Sequence, residues 1–243
     1  MTTPNDDHGL MGEAQHDSGT AAVADQYARR ASTDRYSPLK PDVWQTLQER
    51  QRAMLRLFAQ RGWTDLSTLR LVEVGCGNGS NLLELLRLGF APERLTGIEL
   101  LADRHAAARA RLPAAVDLHH ADASTVPLAA GSFDIVFVST VFSSLLDDAF
   151  QQRLAAAMWR WVKPGGGVLW YDFTVDNPRN RDVRGVSLAR VRELFPRGRL
   201  QARRITLAPP IARAVTRVHP SLYTLFNTLP LLRTHVLAWI AKP

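Results

Sequence analysis

Along residues 69–88 the apolar positions change period. Leu69, Leu71, Val72 and Val74 form a short run that breaks at Gly75, Gly77 and Gly79. Beyond it Leu82, Leu83, Leu85, Leu86 and Leu88 make a segment apolar nearly all round. The pattern predicts a buried strand, a tight turn and a helix packed on a sheet. Further strands are predicted at 95–99, 116–120, 133–139, 167–173, 200–207 and 235–240. Helices are predicted at 102–111 and 187–194, and after Asp147-Asp148, where Phe150, Leu154, Met158 and Trp161 share one stripe. Strands alternating with helices imply a parallel α/β sheet with a ligand crevice at the strand C-termini.

Two segments fall outside that alternation. Pro41 opens a predicted helix with Trp44, Leu47, Gln51, Met54, Leu55 and Phe58 on one broad face, opposite Arg50, Arg52 and Gln60. It is expected to pack on the sheet or cover the site. Between the last two strands, 208–233 repeats apolar residues at near-helical intervals, interrupted by Pro220. One or two short helices over the site are expected. Its Arg213, Arg217, His219, Tyr223 and Arg233 suit an anion, and its apolar face suits packing on the sheet or a lipid tail; core-like periodicity favours packing.

Composition and charge refine this picture. At 243 residues and 46% apolar, the chain suits one domain with additions. No long apolar span and no basic-then-apolar leader occur, so a soluble, cytoplasmic protein is expected. Residues 1–25 carry five acids and no Lys or Arg, and 1–26 reads as a disordered lead-in. From Arg179 onward thirteen basic residues face two acids. That excess suits an anionic substrate, a phosphorylated lipid or sugar, or nucleic acid. Only three of the thirty basic residues are Lys, a bias that base composition can produce, and a solvated surface is the preferred reading of most of them. The lone cysteine, Cys76, excludes an internal disulfide and reads as a small side chain tolerated in the turn.

The chemistry concentrates at the glycine turn. Glycines let a ligand approach the main chain, and the helix that follows offers unpaired N–H groups. Dinucleotide sites use Gly-x-Gly-x-x-Gly, whereas here the third glycine comes early and Ser80 follows it. Glu73, beside the turn, would repel a pyrophosphate and attract an ammonium or sulfonium. Glu99, twenty residues past Gly79, closes the second strand where an acid accepts from both ribose hydroxyls. A positively charged nucleoside is the expected ligand, and NAD is the poorer choice.

Taken in order, these residues resemble the class I S-adenosylmethionine-dependent methyltransferases, within them the type 11 group. Glu73-Val74-Gly75-Cys76-Gly77-Asn78-Gly79 resembles that family's first motif, Glu99 its ribose-binding acid, and His120-Ala121-Asp122-Ala123 its adenine-contacting segment. Phe133-Asp134-Ile135-Val136-Phe137-Val138-Ser139 and Val162-Lys163-Pro164-Gly165-Gly166-Gly167 resemble its fourth strand and the turn before its fifth. The resemblance runs from about residue 69 to 173. It implies a Rossmann-like doubly wound seven-stranded sheet, with an N-terminal helical addition at 27–66, a cofactor core at 69–173 and acceptor-side elements at 174–243. It implies S-adenosyl-L-methionine as cofactor, contacted by Glu73, Gly75, Cys76, Gly77, Gly79, Asn81, Glu99, Leu100, Asp122, Ala123, Ser139 and Thr140.

Acceptor-side residues are less constrained. Ser139-Thr140-Val141-Phe142 lacks the Asp/Asn-Pro-Pro-Tyr common in methyltransferases acting on amino groups of nucleobases or glutamine. A small-molecule or glycan acceptor, methylated at oxygen, is therefore expected. N- or C-methylation, an RNA acceptor and a noncatalytic cofactor-binding subunit are the alternatives; no appended module supports RNA. Tyr36, Phe142, Asn177, Arg179 and Arg184 are the substrate candidates. Phe142 is equally a core residue, and Tyr36 equally part of a surface loop. His219, His119 and Asp172 are the candidate bases. His119 and His120 are neighbours on a strand and face opposite ways, so one is expected buried and one near the cofactor rim, with no shared metal.

Overall fold

A computed structural model describes residues 37–176 and 180–243. The expected lead-in and the candidates Tyr36, Asn177 and Arg179 lie outside the described residues. In chain order the elements are α1 (Pro41–Gln60), β1 (Leu71–Val74), α2 (Ser80–Arg87), β2 (Leu95–Glu99), α3 (Ala102–Arg111), β3 (Asp117–His120), β4 (Phe133–Ser139), α4 (Asp148–Trp161), β5 (Val162–Phe173), α5 (Leu188–Leu194), β6 (Arg199–Leu207), α6 (Pro209–Val218), α7 (Ser221–Phe226) and β7 (Arg233–Ala241).

The seven strands form one sheet in the order β3-β2-β1-β4-β5-β7-β6. β1 to β5 run parallel, and β7 inserts antiparallel between β5 and β6. This is the Rossmann-like doubly wound sheet expected. Strand order reverses between β1 and β4, which opens a crevice at their C-terminal ends.

Period-two alternation explains why both faces are covered. In β4, Val136 and Val138 enter one core with Trp161 and Trp170, while Ile135 and Phe137 enter the other with Phe58 and Trp239. β5 divides the same way, Val168 and Trp170 against Leu169 and Tyr171. In α2, Leu82 and Leu85 are wholly buried, each stabilising the fold by about 1.5–3 kcal/mol relative to exposure. Asp147 caps α4 by accepting from the Ala149 N–H at 2.8 Å, as the sequence predicts.

Two expectations need correction. The face of α1 is rotated: Arg50, Ala53, Met54 and Phe58 are buried, while Trp44 and Leu55 are exposed. Polar partners at the sheet edge draw Arg50 inward, and hydropathy alone does not register them. The insertion does form two short helices, but they sit beside α1 and β6. Ala212, Tyr223 and Leu207 make a small separate core there. Glu49 of α1 accepts from the Tyr223 O–H at 2.8 Å and from the Thr206 N–H at 3.0 Å, which fixes the insertion against α1.

Candidate functional site

A cavity of about 300 Å³ lies at the C-terminal ends of β1, β2 and β4. Its floor is the glycine turn. One end is formed by Glu99, Leu100, Leu101, Arg104, Asp122 and Ala123, the other by Ser139, Thr140, Val141, Leu145 and Phe150. Leu47 and Arg50 of α1 close it from the N-terminal side.

The turn requires its glycines. Gly75 has φ +65°, and a Cβ there would lie 2.6 Å from the Val141 side chain, itself on the cavity wall. Gly79 has φ +79° at the N-cap of α2, where a Cβ would meet Leu112 at 2.8 Å. Cys76 is buried, and a Cβ on Gly97 of β2 would come within 2.9 Å of its sulfur. Burial raises its thiol pKa, with Glu73 and Glu99 adding to the effect, so the thiol stays protonated and acts as packing.

Glu73, next to the last residue of β1, is fully buried. The Asn81 side-chain amide donates to its Oε1 at 2.6 Å, and its Oε2 has no hydrogen-bond partner. Burial pushes the carboxyl up to about 8, the Asn81 bond and the charge of Arg50 only partly offsetting it. Arg50 donates from Nη2 to Asn81 Oδ1 at 2.6 Å and from Nη1 to Ser139 Oγ at 3.3 Å. It pairs with Glu84 at 3.4 Å and lies 5.3 Å over the Tyr171 ring, while its Nε is buried and unpartnered. Asn81 thus links an unsatisfied acceptor to an unsatisfied donor at one end of the cavity. Such groups are costly when buried unless a ligand meets them.

Glu99 stands at the other end, where its two oxygens accept from the Gly77 N–H at 2.7 Å and the Leu101 N–H at 2.9 Å. Each retains a lone pair. Asp122 Oδ1 accepts from the Ser124 N–H at 2.7 Å. Thr140 holds a left-handed φ of +54° at the end of β4, a strained conformation for a β-branched residue and one found at ligand sites. Of the expected cofactor contacts, all line the cavity except Glu73 and Gly79, and Glu73 is hydrogen-bonded to the lining residue Asn81.

The acceptor and base candidates are not brought together. Phe142 is wholly buried with its ring 4.6 Å from Trp170, so it belongs to the core. Arg184 pairs with Asp148 at the start of α4, and its N–H donates to Ser143 O at 2.8 Å. Asp172 is buried and accepts from the Ser143 and Phe173 N–H groups at 3.0 and 2.9 Å. Burial lifts its carboxyl to about 7 against those bonds. It holds the turn after β4 and does not line the cavity.

His219 is exposed on the turn between α6 and α7, accepting from the Ser221 N–H at 3.2 Å. His119 pairs with Asp117 at 2.9 Å on the edge strand β3. Three strand spacings separate β3 from β4, about 14 Å, so His119 is remote from the Thr140 end. Neither His119 nor His120 is buried, because β3 is short and at the sheet edge. His120 instead lies within hydrogen-bonding distance of Leu100 O, at 3.0 Å.

Sequence reasoning missed Arg50. The available signal was its spacing: Leu47, Arg50 and Met54 recur at i, i+3 and i+7, which puts a cation on an apolar stripe.

Residues 71–166 match a family model described as a methyltransferase domain. That span runs from β1 into β5 and contains the cavity floor and both its ends. Residues 71–166 thus carry a methyltransferase domain, in keeping with the class I, type 11-like resemblance of the sequence, which implies S-adenosylmethionine as the cofactor.

Solved structures of methyltransferases share the fold. A Burkholderia thailandensis 1,6-didemethyltoxoflavin-N1-methyltransferase with bound S-adenosylhomocysteine is 15% identical, with TM-score 0.58, over 100% of this chain and 94% of its own. An S-adenosylmethionine-dependent methyltransferase from Mesorhizobium loti is 17% identical, with TM-score 0.55, over 79% and 95%. The [4+2]-cyclase SpnF is 19% identical, with TM-score 0.55, over 79% and 81%. A cyclase among these structures illustrates that the methyltransferase fold does not fix the reaction. No curated protein matches the sequence. No helix among the described residues is long and apolar enough to cross a membrane.

Proposed function

We propose that the methyltransferase transfers its methyl group to an oxygen of a small-molecule or glycan acceptor, in a domain arranged as cap 27–66, core 69–173 and acceptor-side segment 174–243. The observation that carries the binding mode is the paired lack of partners at Glu73 Oε2 and Arg50 Nε. A zwitterionic amino acid has the ammonium for one and the carboxylate for the other. The methionyl end of the cofactor belongs there, its ribose at Glu99, and its adenine beside Asp122 and Ala123. When bound, the cofactor supplies the electrophilic methyl group. The protein's own work is to orient and to exclude water.

The acceptor then enters over Ser139 and Thr140, past Leu145 and Phe150. Support for oxygen is the absence of Asp/Asn-Pro-Pro-Tyr at 139–142. His119 and His219 are not carried forward as bases, being remote or exposed. Asp172 is retained only as a group that positions the turn after β4. Substitution Glu99→Ala tests the cofactor placement. It should weaken S-adenosylhomocysteine binding by roughly 2 kcal/mol, the scale of lost charged hydrogen bonds, measured by calorimetry. Unchanged affinity removes Glu99 from the site. A screen of hydroxylated acceptors reading S-adenosylhomocysteine release tests the oxygen assignment, which methylation confined to amines would overturn.

A further inference from the structure

A group of exposed apolar side chains lies outside the cavity, where the start of α1 meets the α6–α7 insertion. Leu39 is 91% exposed, Val218 78% and Leu231 97%, and Trp44, Leu225 and Leu229 are exposed with them. Pro220 and Trp44 border one shallow groove, so the two segments are contiguous. Isolated exposed leucines are ordinary, but a contiguous group of this kind marks an interaction surface.

Its surroundings are basic. Residues 194–243 hold seven arginines and one lysine and no Asp or Glu. Along 37–49 the acids are Asp42 and Glu49, and Glu49 is taken up by hydrogen bonds from Tyr223 and Asn227. Arg213 and Arg217 stand one helical turn apart on α6, next to Val218, and neither has an ion-pair partner among the described residues. Short amphipathic helices with apolar side chains beside arginines are the composition that settles into an anionic lipid interface.

We infer that this surface, formed by the start of α1 and the α6–α7 insertion, docks the protein on an anionic membrane face. A symmetric contact with a second copy would set Arg213 and Arg217 against their equivalents, which is repulsive. The chain's own acidic stretch 1–25 matches the charge, but beyond Met1 and alanines its apolar side chains are only Leu10, Met11 and Val23. That offers little to cover four leucines that are each more than half exposed and a tryptophan. The surface also adjoins the site, since Trp44 is one turn from Leu47 on the cavity wall. An acceptor with a lipid portion would reach the cavity from the membrane side.

The test is co-sedimentation of the full chain with phosphatidylcholine vesicles, with and without phosphatidylglycerol. Binding should require phosphatidylglycerol and weaken with salt. Arg213→Gln with Arg217→Gln should lower partitioning about thirtyfold, taking each arginine at its usual worth near an anionic surface. Leu225→Asp with Leu231→Asp should abolish it. None of the four substitutions touches the cavity, so S-adenosylhomocysteine binding verifies that each variant is folded. Equal binding to both vesicles, or none, overturns the inference. So does vesicle binding that appears only after residues 1–36 are removed, or a dimer that the same leucine substitutions dissociate.

Discussion

Arg50 is the residue whose role separates a ligand contact from ordinary structural pairing. Arg50→Met keeps an apolar stem of similar length and removes every donor. In the folded protein the guanidinium serves Asn81, Ser139 and Glu84, leaving Nε–H buried with nothing to meet. A hydrogen bond from that group to a carboxylate contributes about 2 kcal/mol, or about thirtyfold in Kd. Calorimetry with two ligands isolates it. S-adenosylhomocysteine has the amino-acid end, whereas 5′-methylthioadenosine keeps the nucleoside and lacks both carboxylate and ammonium. The substitution should cost the first ligand about thirtyfold and the second less than about threefold. Arg50→Lys should fall between, since it keeps the charge without the planar fork. If both ligands weaken alike, Arg50 shapes the cavity through Glu84 and Asn81 only, and the zwitterion assignment fails. A thermal melt of each variant checks that the fold is intact.

Two further predictions follow from the buried carboxyls. With its pKa near 8, Glu73 holds a proton at pH 7 in the free protein, and an ammonium placed beside it favours the ionised form. S-adenosylhomocysteine binding at pH 7 should therefore release up to about one proton, read as a dependence of binding heat on buffer ionisation heat. Glu73→Gln should release less, and equal release from both proteins would refute the placement. Asp172 has a folded pKa near 7, above its unfolded value near 4. Between those pH values the folded state binds more protons, so its contribution to stability is full below about pH 4 and declines as pH rises to about 7. Asp172→Asn keeps one acceptor for two backbone N–H groups. It should destabilise the protein by about 1–3 kcal/mol at pH 5, and the gap to wild type should narrow by pH 8. Parallel urea titrations at the two pH values would show this, and a gap that widens would refute it.

The sequence by itself determined the alternating elements, the glycine turn with Glu73 and Glu99 beside it, and the end of β4 at Ser139. These features are local. A strand pattern, a φ that excludes side chains at Gly75 and an acid at a strand end are all set within a few residues. Even Cys76 is legible as packing, because nothing nearby in sequence would activate it. Tertiary structure alone decided which way α1 turns. The buried position of Arg50 depends on Asn81, Ser139 and Tyr171, which are 31 to 121 residues away and come together only when β1, β4 and β5 align. It likewise set His119 three strands from the Thr140 end, since distance across a sheet is set by strand order and not by sequence spacing, and left His219 on an exposed turn. The insertion shows both limits together. Its periodicity gave the helices, but whether its leucines met a core or the solvent depended on how Glu49 and Tyr223 anchored them beside α1.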